Sequence, residues 1–222
     1  FFNDYIEVAK AEVEWATGTE VTYQKIGNMD FLEIEVAEEL LPQLAMLSTI
    51  YGIFERENES LIPLAVETPF QLHEDFVFGS KYKGKTSEIL TQLLINVGLK
   101  SINYTSLSDI KLLDPMCGRA TTLLWAIRFG MKAKGIEQDP KALDDIKQSI
   151  KKWTKIHRQK HQLKEGFVGG KANKKGKGRF VDFSANNSSM RAITGDSTEA
   201  SNILKGEKFD LMISDLPYGV HH

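Results

Sequence analysis

Two stretches of this chain hold side chains suited to chemistry. Leu112-Leu113-Asp114-Pro115-Met116-Cys117-Gly118-Arg119-Ala120-Thr121-Thr122 sets an acid and then small residues between an apolar run and a helical pattern. Asp210-Leu211-Met212-Ile213-Ser214-Asp215-Leu216-Pro217-Tyr218-Gly219 ends a second apolar run on an acid, a proline and an aromatic. Ligands of open α/β sheets sit outside the carboxyl ends of the strands, so Asp114 is placed to bind a cationic amine. Gly118 and Ala120 leave room for a ligand to approach the backbone, and the helix that follows presents its first N–H groups there. The turn is neither of two common nucleotide loops. It lacks the Gly-x-Gly-x-x-Gly of dinucleotide enzymes and the Gly-Lys-Ser/Thr of phosphate loops. Gly169-Gly170-Lys171 runs into Ala172 within a polar segment and is not a phosphate loop either.

The elements that must position these residues follow from the pattern. An apolar run at 110–113 suits a strand buried on both faces of a parallel sheet. Residues 121–129 repeat apolar side chains at helical spacing. A second strand at 131–136 ends on Glu137, about twenty residues past the first loop, where a nucleoside-binding βαβ unit puts an acid for ribose hydroxyls. Asp139-Pro140 then opens a helix, with the acid as its cap. A third strand at 190–194 leads to Gly195-Asp196-Ser197. Asp196 there serves either the adenine amino group or the following helix as its cap. A fourth strand at 209–214 delivers Asp215.

On these residues the sequence resembles the class I S-adenosylmethionine-dependent methyltransferases, and among them the THUMP-associated RNA and tRNA guanine-N2 methyltransferases. Asp114-Pro115-Met116-Cys117-Gly118 is similar to that family's Asp-Pro-x-x-Gly cofactor motif. Asp215-Leu216-Pro217-Tyr218-Gly219 is similar to its Asp-x-Pro-Tyr/Phe-Gly catalytic motif. The resemblance covers residues 81–222. It implies an α/β, Rossmann-like sheet joined to a small N-terminal α+β ferredoxin-like domain. It implies S-adenosyl-L-methionine as cofactor, held by Asp114, Pro115, Met116, Cys117, Gly118, Glu137, Asp196 and Ser197. It implies catalysis by Asp215, Leu216, Pro217 and Tyr218, with no metal and no nucleophilic residue required. Leu216 departs from the Pro-Pro form shared by many DNA-adenine and protein-glutamine enzymes, which leans the substrate toward a tRNA guanosine. A DNA adenine or protein amide methyltransferase, or an inactive cofactor-binding scaffold, is the alternative. Because the sheet of this family continues past the catalytic loop, the chain is expected to be truncated after its fourth strand, or completed by a partner.

The chemistry asks for such a loop. The lone pair of an exocyclic base amine is delocalised into the ring. A carboxylate and a carbonyl that accept hydrogen bonds from the NH2 favour the geometry of attack, a role for Asp215 and the Leu216 backbone. Pro217 fixes the turn. Tyr218 offers a face for a base taken out of its stack.

Composition sets the remaining bounds. The chain has 222 residues, 41% hydrophobic, with one cysteine and five histidines. The length allows one large or two small domains. No apolar run is long enough to span a bilayer and no signal peptide is visible, so no membrane partner is expected. A lone Cys117 forms no internal disulfide and fits a reducing, cytoplasmic setting, where a packing role is expected for it. His157 and His161, four apart among basic neighbours, do not read as a metal site.

The net charge of −2 hides an asymmetry. Residues 151–191 hold twelve Lys/Arg against two Asp/Glu, a balance of +10, while residues 1–75 hold sixteen acids against three bases. The Gly/Lys-rich part of the basic segment reads as a mobile insertion at 155–189. It is either a phosphate-binding arm, with Lys174, Lys175, Lys177 and Arg179 facing RNA, or a solvated insertion. Lysines at 81–85 read first as an exposed loop and second as a further phosphate contact, and Thr86 or Ser87 could cap a helix at 88–97.

The N-terminal part, 1–57, reads as a separate domain in the order helix (4–16), strands (20–26 and 31–36), helix (38–47) and strand (49–54). This is a ferredoxin-like unit lacking its opening strand. Its acidity argues against phosphate contact and leaves a spacer or partner surface. Residues 58–80 read as a linker to the domain at 81–222.

Overall fold

A computed structural model describes residues 3–82, 84–168 and 178–216. The contacts divide into two units. One comprises Phe1–Pro69 with Gln92–Lys100, and the other Phe70–Thr91 with Ser101–His222. The break between Pro69 and Phe70 falls within the expected linker at 58–80, while Gln92–Lys100, expected in the second domain, groups with the first unit. Residues 58–80 hold a strand of the first unit and a helix of the second, and the helix Glu88–Lys100 is divided between them.

In the first unit, helix α1 (Asn3–Thr17) precedes the hairpin of β1 (Thr22–Ile26) and β2 (Met29–Glu33). Gly27 takes a positive φ of 61° in its two-residue turn. The expected helix at 38–47 is a 3-10 turn at Glu38–Leu40 followed by a single helical turn, α2 (Leu41–Leu44). The expected strand at 49–54 lies instead at β3 (Phe54–Glu57), which pairs with β4 (Ser60–Pro63) across an Asn58-Glu59 turn. Asn58 holds a φ of 54°, which Asn tolerates better than most residues. The strands of this unit therefore form two separate two-stranded sheets, where a ferredoxin-like unit would join them in one. Val13, Val21, Leu44 and Leu47 form the unit's core.

The second unit is α/β. It contains α3 (Asp75–Phe78), the start of α4 (Glu88–Lys100), β5 (Lys111–Asp114), α5 (Thr121–Arg128), β6 (Lys132–Glu137) and α6 (Pro140–Ile156). It continues through β7 (Gln162–Phe167), β8 (Arg179–Ala185), β9 (Ser188–Thr194), α7 (Ala200–Ile203) and β10 (Leu211–Met212). Six strands form one mixed sheet in the order β10-β5-β6-β9-β8-β7. The first four run parallel, and β8 and β7 extend the sheet antiparallel. The flanks of the basic insertion are thus sheet strands, with alternate residues Val181, Phe183 and Ala185 buried. The Asn186-Asn187 turn that joins β8 to β9 puts Asn186 at a φ of 52°. This corrects the expectation of a structureless insertion over its described residues.

Helices α5 and α6 cover one face of the sheet. Trp125, Ile127, Leu143, Ile146 and Ile150 are buried there. On the other face, Leu204 packs on Leu113, Ile136 and Ile193. No helix among the described residues is long and apolar enough to cross a membrane.

Candidate functional site

The chain runs outward from β5 to β6 to β9, then returns to place β10 on the other side of β5. The order reverses between β5 and β10, and in open α/β sheets ligands bind in the crevice outside the carboxyl ends of the strands at such a point. Asp114 ends β5 there. Only 3% of it is exposed. Its Oδ1 accepts a hydrogen bond from the Met116 N–H at 3.1 Å and one from the Ser214 hydroxyl at 2.9 Å, across 100 residues of sequence. Burial raises the Asp114 pKa above the ordinary carboxylate value, with Glu137 adding repulsion. Hydrogen bonds from Thr122, Met116 and Ser214 pull the other way without cancelling the burial. A carboxyl held only by neutral donors retains a charge that a ligand cation could compensate.

The loop between β5 and α5 is tied down by β6. The Cys117 N–H donates to the Ile136 carbonyl at 2.9 Å. Glu137 accepts from the Gly118 N–H through Oε2 and from the Asp139 N–H through Oε1, each at 2.8 Å. Each carboxylate oxygen keeps a further lone-pair site. Gly118 has a φ of 51°, and a Cβ built on it would meet nothing within 4 Å, so the backbone lies open to an approaching ligand. Ala120 also takes the left-handed conformation, φ 70°, immediately before α5, and is fully buried. Backbone held in that region by a non-glycine residue costs about 1–2 kcal/mol and persists where the surroundings over-determine it.

Cys117 is a packing residue. Its side chain lies against β6 where Gly135 has no Cβ; one added there would fall 2.6 Å from both Cys117 Cβ and Sγ. Burial pushes the thiol well above its ordinary value, so it stays protonated and non-nucleophilic at neutral pH.

Pro115 and the half-exposed Met116 complete the loop. Asp215 follows Ser214 directly and is half-buried, and Leu216 is exposed. Asp196 lies at the end of β9 and caps the turn after it, accepting from the Thr198 N–H at 2.9 Å and the Thr198 hydroxyl at 2.7 Å. Those bonds hold its pKa below the usual range. Ser197 begins the short 3-10 turn that Asp196 caps. Asp139 caps α6 through the Lys141 N–H at 2.9 Å. Arg179 opens β8, and its guanidinium is bound to Asp144 at 2.7 and 3.2 Å, so its charge is already compensated within the chain. Pro217, Tyr218, Lys174, Lys175 and Lys177 lie outside the described residues.

Three neighbours of the loop were not legible in sequence. Tyr82 donates or accepts at Thr121 Oγ1, 3.2 Å away, and burial raises its phenol pKa. Arg119 lies 4.5 Å over the Tyr82 ring and is bound to Asp145 at 2.6 Å. Ser214 bridges the two loops. Its place one residue before Asp215 is the only sequence signal for it. Lys85, expected in an exposed loop or at a phosphate, points inward to the Val77 and Ser80 carbonyls and to Glu88, and is thereby satisfied. A depression of about 420 Å³ lined by Lys111, Lys132, Lys164 and Arg191 opens elsewhere on the sheet and includes none of the loop residues. No protein-family model matches this chain, and no curated protein matches it.

Proposed function

We propose that this chain is an S-adenosylmethionine-dependent N-methyltransferase acting on RNA, at the exocyclic N2 amine of a tRNA guanosine, with a Rossmann-like class I methyltransferase sheet. The observation that carries the reading is the Ser214–Asp114 hydrogen bond at 2.9 Å. It joins the two chemistry-bearing loops at the point where strand order reverses, and Asp215 is the next residue.

The residues at that point fit the cofactor. Gly118 leaves its backbone open. Asp114 offers an uncompensated carboxylate toward a cationic amine, and Glu137 retains acceptor sites for ribose hydroxyls. Asp196 spends Oδ1 on its own cap, where both Thr198 bonds end, and keeps Oδ2 to accept from an adenine amino group. When bound, S-adenosylmethionine supplies an electrophilic sulfonium methyl. What the chain must add is position. Asp215 and the Leu216 carbonyl accept hydrogen bonds from the amine and aim its lone pair. A proline at 217 is the residue type that fixes such a turn, and a tyrosine at 218 the type that would support an extruded base. Holding two reactants in line supplies most of the acceleration such a transfer needs.

Radiolabel transfer from S-adenosylmethionine to tRNA, DNA and protein tests this directly. Label is expected in the tRNA fraction. Asp215→Ala is expected to lower it about 100-fold or more, the scale of a lost positioning contact, with cofactor affinity nearly unchanged by calorimetry. Label in DNA or protein alone would replace the RNA substrate with another amine. Cofactor binding with no label anywhere would make the chain a scaffold.

A further inference from the structure

The fold brings together three metal-ligating side chains that the sequence keeps apart. Asp75 opens α3 and His157 caps the end of α6, 82 residues later. Asp75 Oδ2 lies 2.8 Å from His157 Nε2 and 3.5 Å from His73 Nδ1. One ligand atom from each residue lies within 4.8 Å of the other two.

We propose that His73, Asp75 and His157 form a divalent transition-metal site, of the zinc class, that clamps residues 73–78 to the end of α6. The ligand set selects the metal. Two imidazoles and one carboxylate suit zinc and its neighbours, whereas calcium and magnesium require oxygen shells. The charge suits it too, since two neutral imidazoles and a carboxylate total −1, which a divalent ion turns to +1.

Access and support are both present. The side chains of His73, Asp75 and His157 are 48%, 35% and 21% exposed, so an ion can enter from solvent. On the inner side, the Trp153 and Phe76 rings stand 6.2 and 6.4 Å from the His157 ring. An apolar flank of this kind limits competition from water.

Two adjustments are required. The two imidazoles are stacked, with ring centroids 3.7 Å apart and planes 17° from parallel. Stacked rings do not aim their lone pairs at one point. His73, the most exposed of the three, must turn out of the stack. It would then exchange a long 3.2 Å bond from the Asp75 N–H for a bond to the ion. His157 and Asp75 must also part slightly, because two donors at about 2.0–2.1 Å from a tetrahedral ion lie about 3.3 Å apart, and the ion then replaces their 2.8 Å hydrogen bond. Water fills the remaining coordination positions.

The test is zinc binding by the full chain, counted by elemental analysis after equilibrium dialysis, for the unaltered protein, Asp75→Asn, His157→Gln and His161→Ala. His221 and His222 are present in every sample, so any ion they hold cancels in the comparison. The proposal expects one additional ion on the unaltered chain and on His161→Ala. It expects at least tenfold weaker binding in Asp75→Asn and His157→Gln. Zinc at about 100 times its dissociation constant should raise the unfolding midpoint by about 5–10 °C, and Asp75→Asn should abolish the rise. Should Asp75→Asn not fold, His73→Ala alters the most exposed ligand and reads the same loss. Equal binding and equal midpoint shift in the unaltered chain and the variants overturns the proposal, as does an unaltered chain whose midpoint zinc does not move.

Discussion

The carboxyl end of the parallel strands and the antiparallel extension belong to one sheet, yet they handle charge in opposite ways. Asp114, at the end of β5, is buried and takes its hydrogen bonds from a backbone N–H and from hydroxyls. In the extension, Asp182 on β8 binds Arg191 on β9 through two bonds, at 2.5 and 2.6 Å, and Asp144 of α6 holds Arg179 of β8. The side chains of both pairs stand partly in solvent. Neutral donors leave the Asp114 charge available to a ligand, whereas the arginine-bound acids have none to offer. Backbone crowding divides by position within each region, and Gly178, just ahead of β8, is crowded hardest, its would-be Cβ 1.8 Å from the Thr194 carbonyl oxygen. β6 meets the loop with Gly135 pressed on Cys117, while Gly166 on β7 faces only the edge of the Phe180 ring.

The largest difference between the loop and the edge strand should therefore come from adding one methyl group at Gly135 and at Gly166. Gly135→Ala drives a Cβ to 2.6 Å from Cys117 and 2.8 Å from Leu123, in a fully packed layer. Overpacking of this kind costs about 1–3 kcal/mol. Gly166→Ala puts its Cβ 3.0 Å from a half-exposed ring that can turn aside. Its cost should be below about 1 kcal/mol, offset in part by the lower entropy of the unfolded chain. Urea midpoints measure both. Equal losses would mean that the loop is no more tightly determined than the sheet's edge.

Next in size is a difference of sign in the response to pH. The folded pKa of Asp114 is raised by burial, so the native state keeps its proton longer than the unfolded chain does. Its contribution is complete below the unfolded value of 3.8 and is lost as pH rises through the folded value. Asp144 is lowered by its bond to Arg179, so its contribution is present above 3.8 and is lost as pH falls through its folded value. Asp114→Asn should flatten the decline in stability on the upper side of that range, and Asp144→Asn the decline on the lower side. Unfolding midpoints from about pH 3 to about pH 7 read both slopes. The same slope change in the two variants would erase the contrast between the regions.

Much of the parallel half was legible in sequence because its strands carry buried apolar residues, consecutive in β5 and interrupted by polar ones in β6 and β9. The expected strands at 110–113 and 131–136 lie one residue later, at Lys111–Asp114 and Lys132–Glu137, and the helix expected from 121 begins at Thr121. The extension was obscured by the Gly/Lys density beside it. Its signal was nonetheless present, in the alternation of 180–185 and the Asn-Asn turn that leads into β9. β3 and β4 carried little signal, because all four residues of β3 are exposed and hydrophobic periodicity has no buried face to report. At the candidate site, the acids could be read from their place at strand ends. What each acid touches could not. Ser214 meets Asp114 across 100 residues and His157 meets Asp75 across 82, distances over which pattern along the chain is silent.

The smallest expected effect tests whether the extension depends on its ion pairs at all. Arg191 binds Asp182 bidentately and lies 4.6 Å over the Phe180 ring, but its side chain is 40% exposed. Partly solvated pairs contribute about 0–1 kcal/mol, and salt screens part of that. Arg191→Gln removes the charge and keeps most of the side chain's length. It should therefore lower the urea midpoint by less than about 1 kcal/mol equivalent, and the deficit should shrink in about 1 M salt. The alternation of Val181, Phe183 and Ala185 against the helices would then be what holds β8 in register, with the arginine pairs selecting among registers and adding little stability. A loss above about 2 kcal/mol that persists in high salt would reverse that order, because only a desolvated pair is worth so much. The extension would then resemble the buried end of the sheet in its use of charge, and the contrast would rest on Asp114 alone.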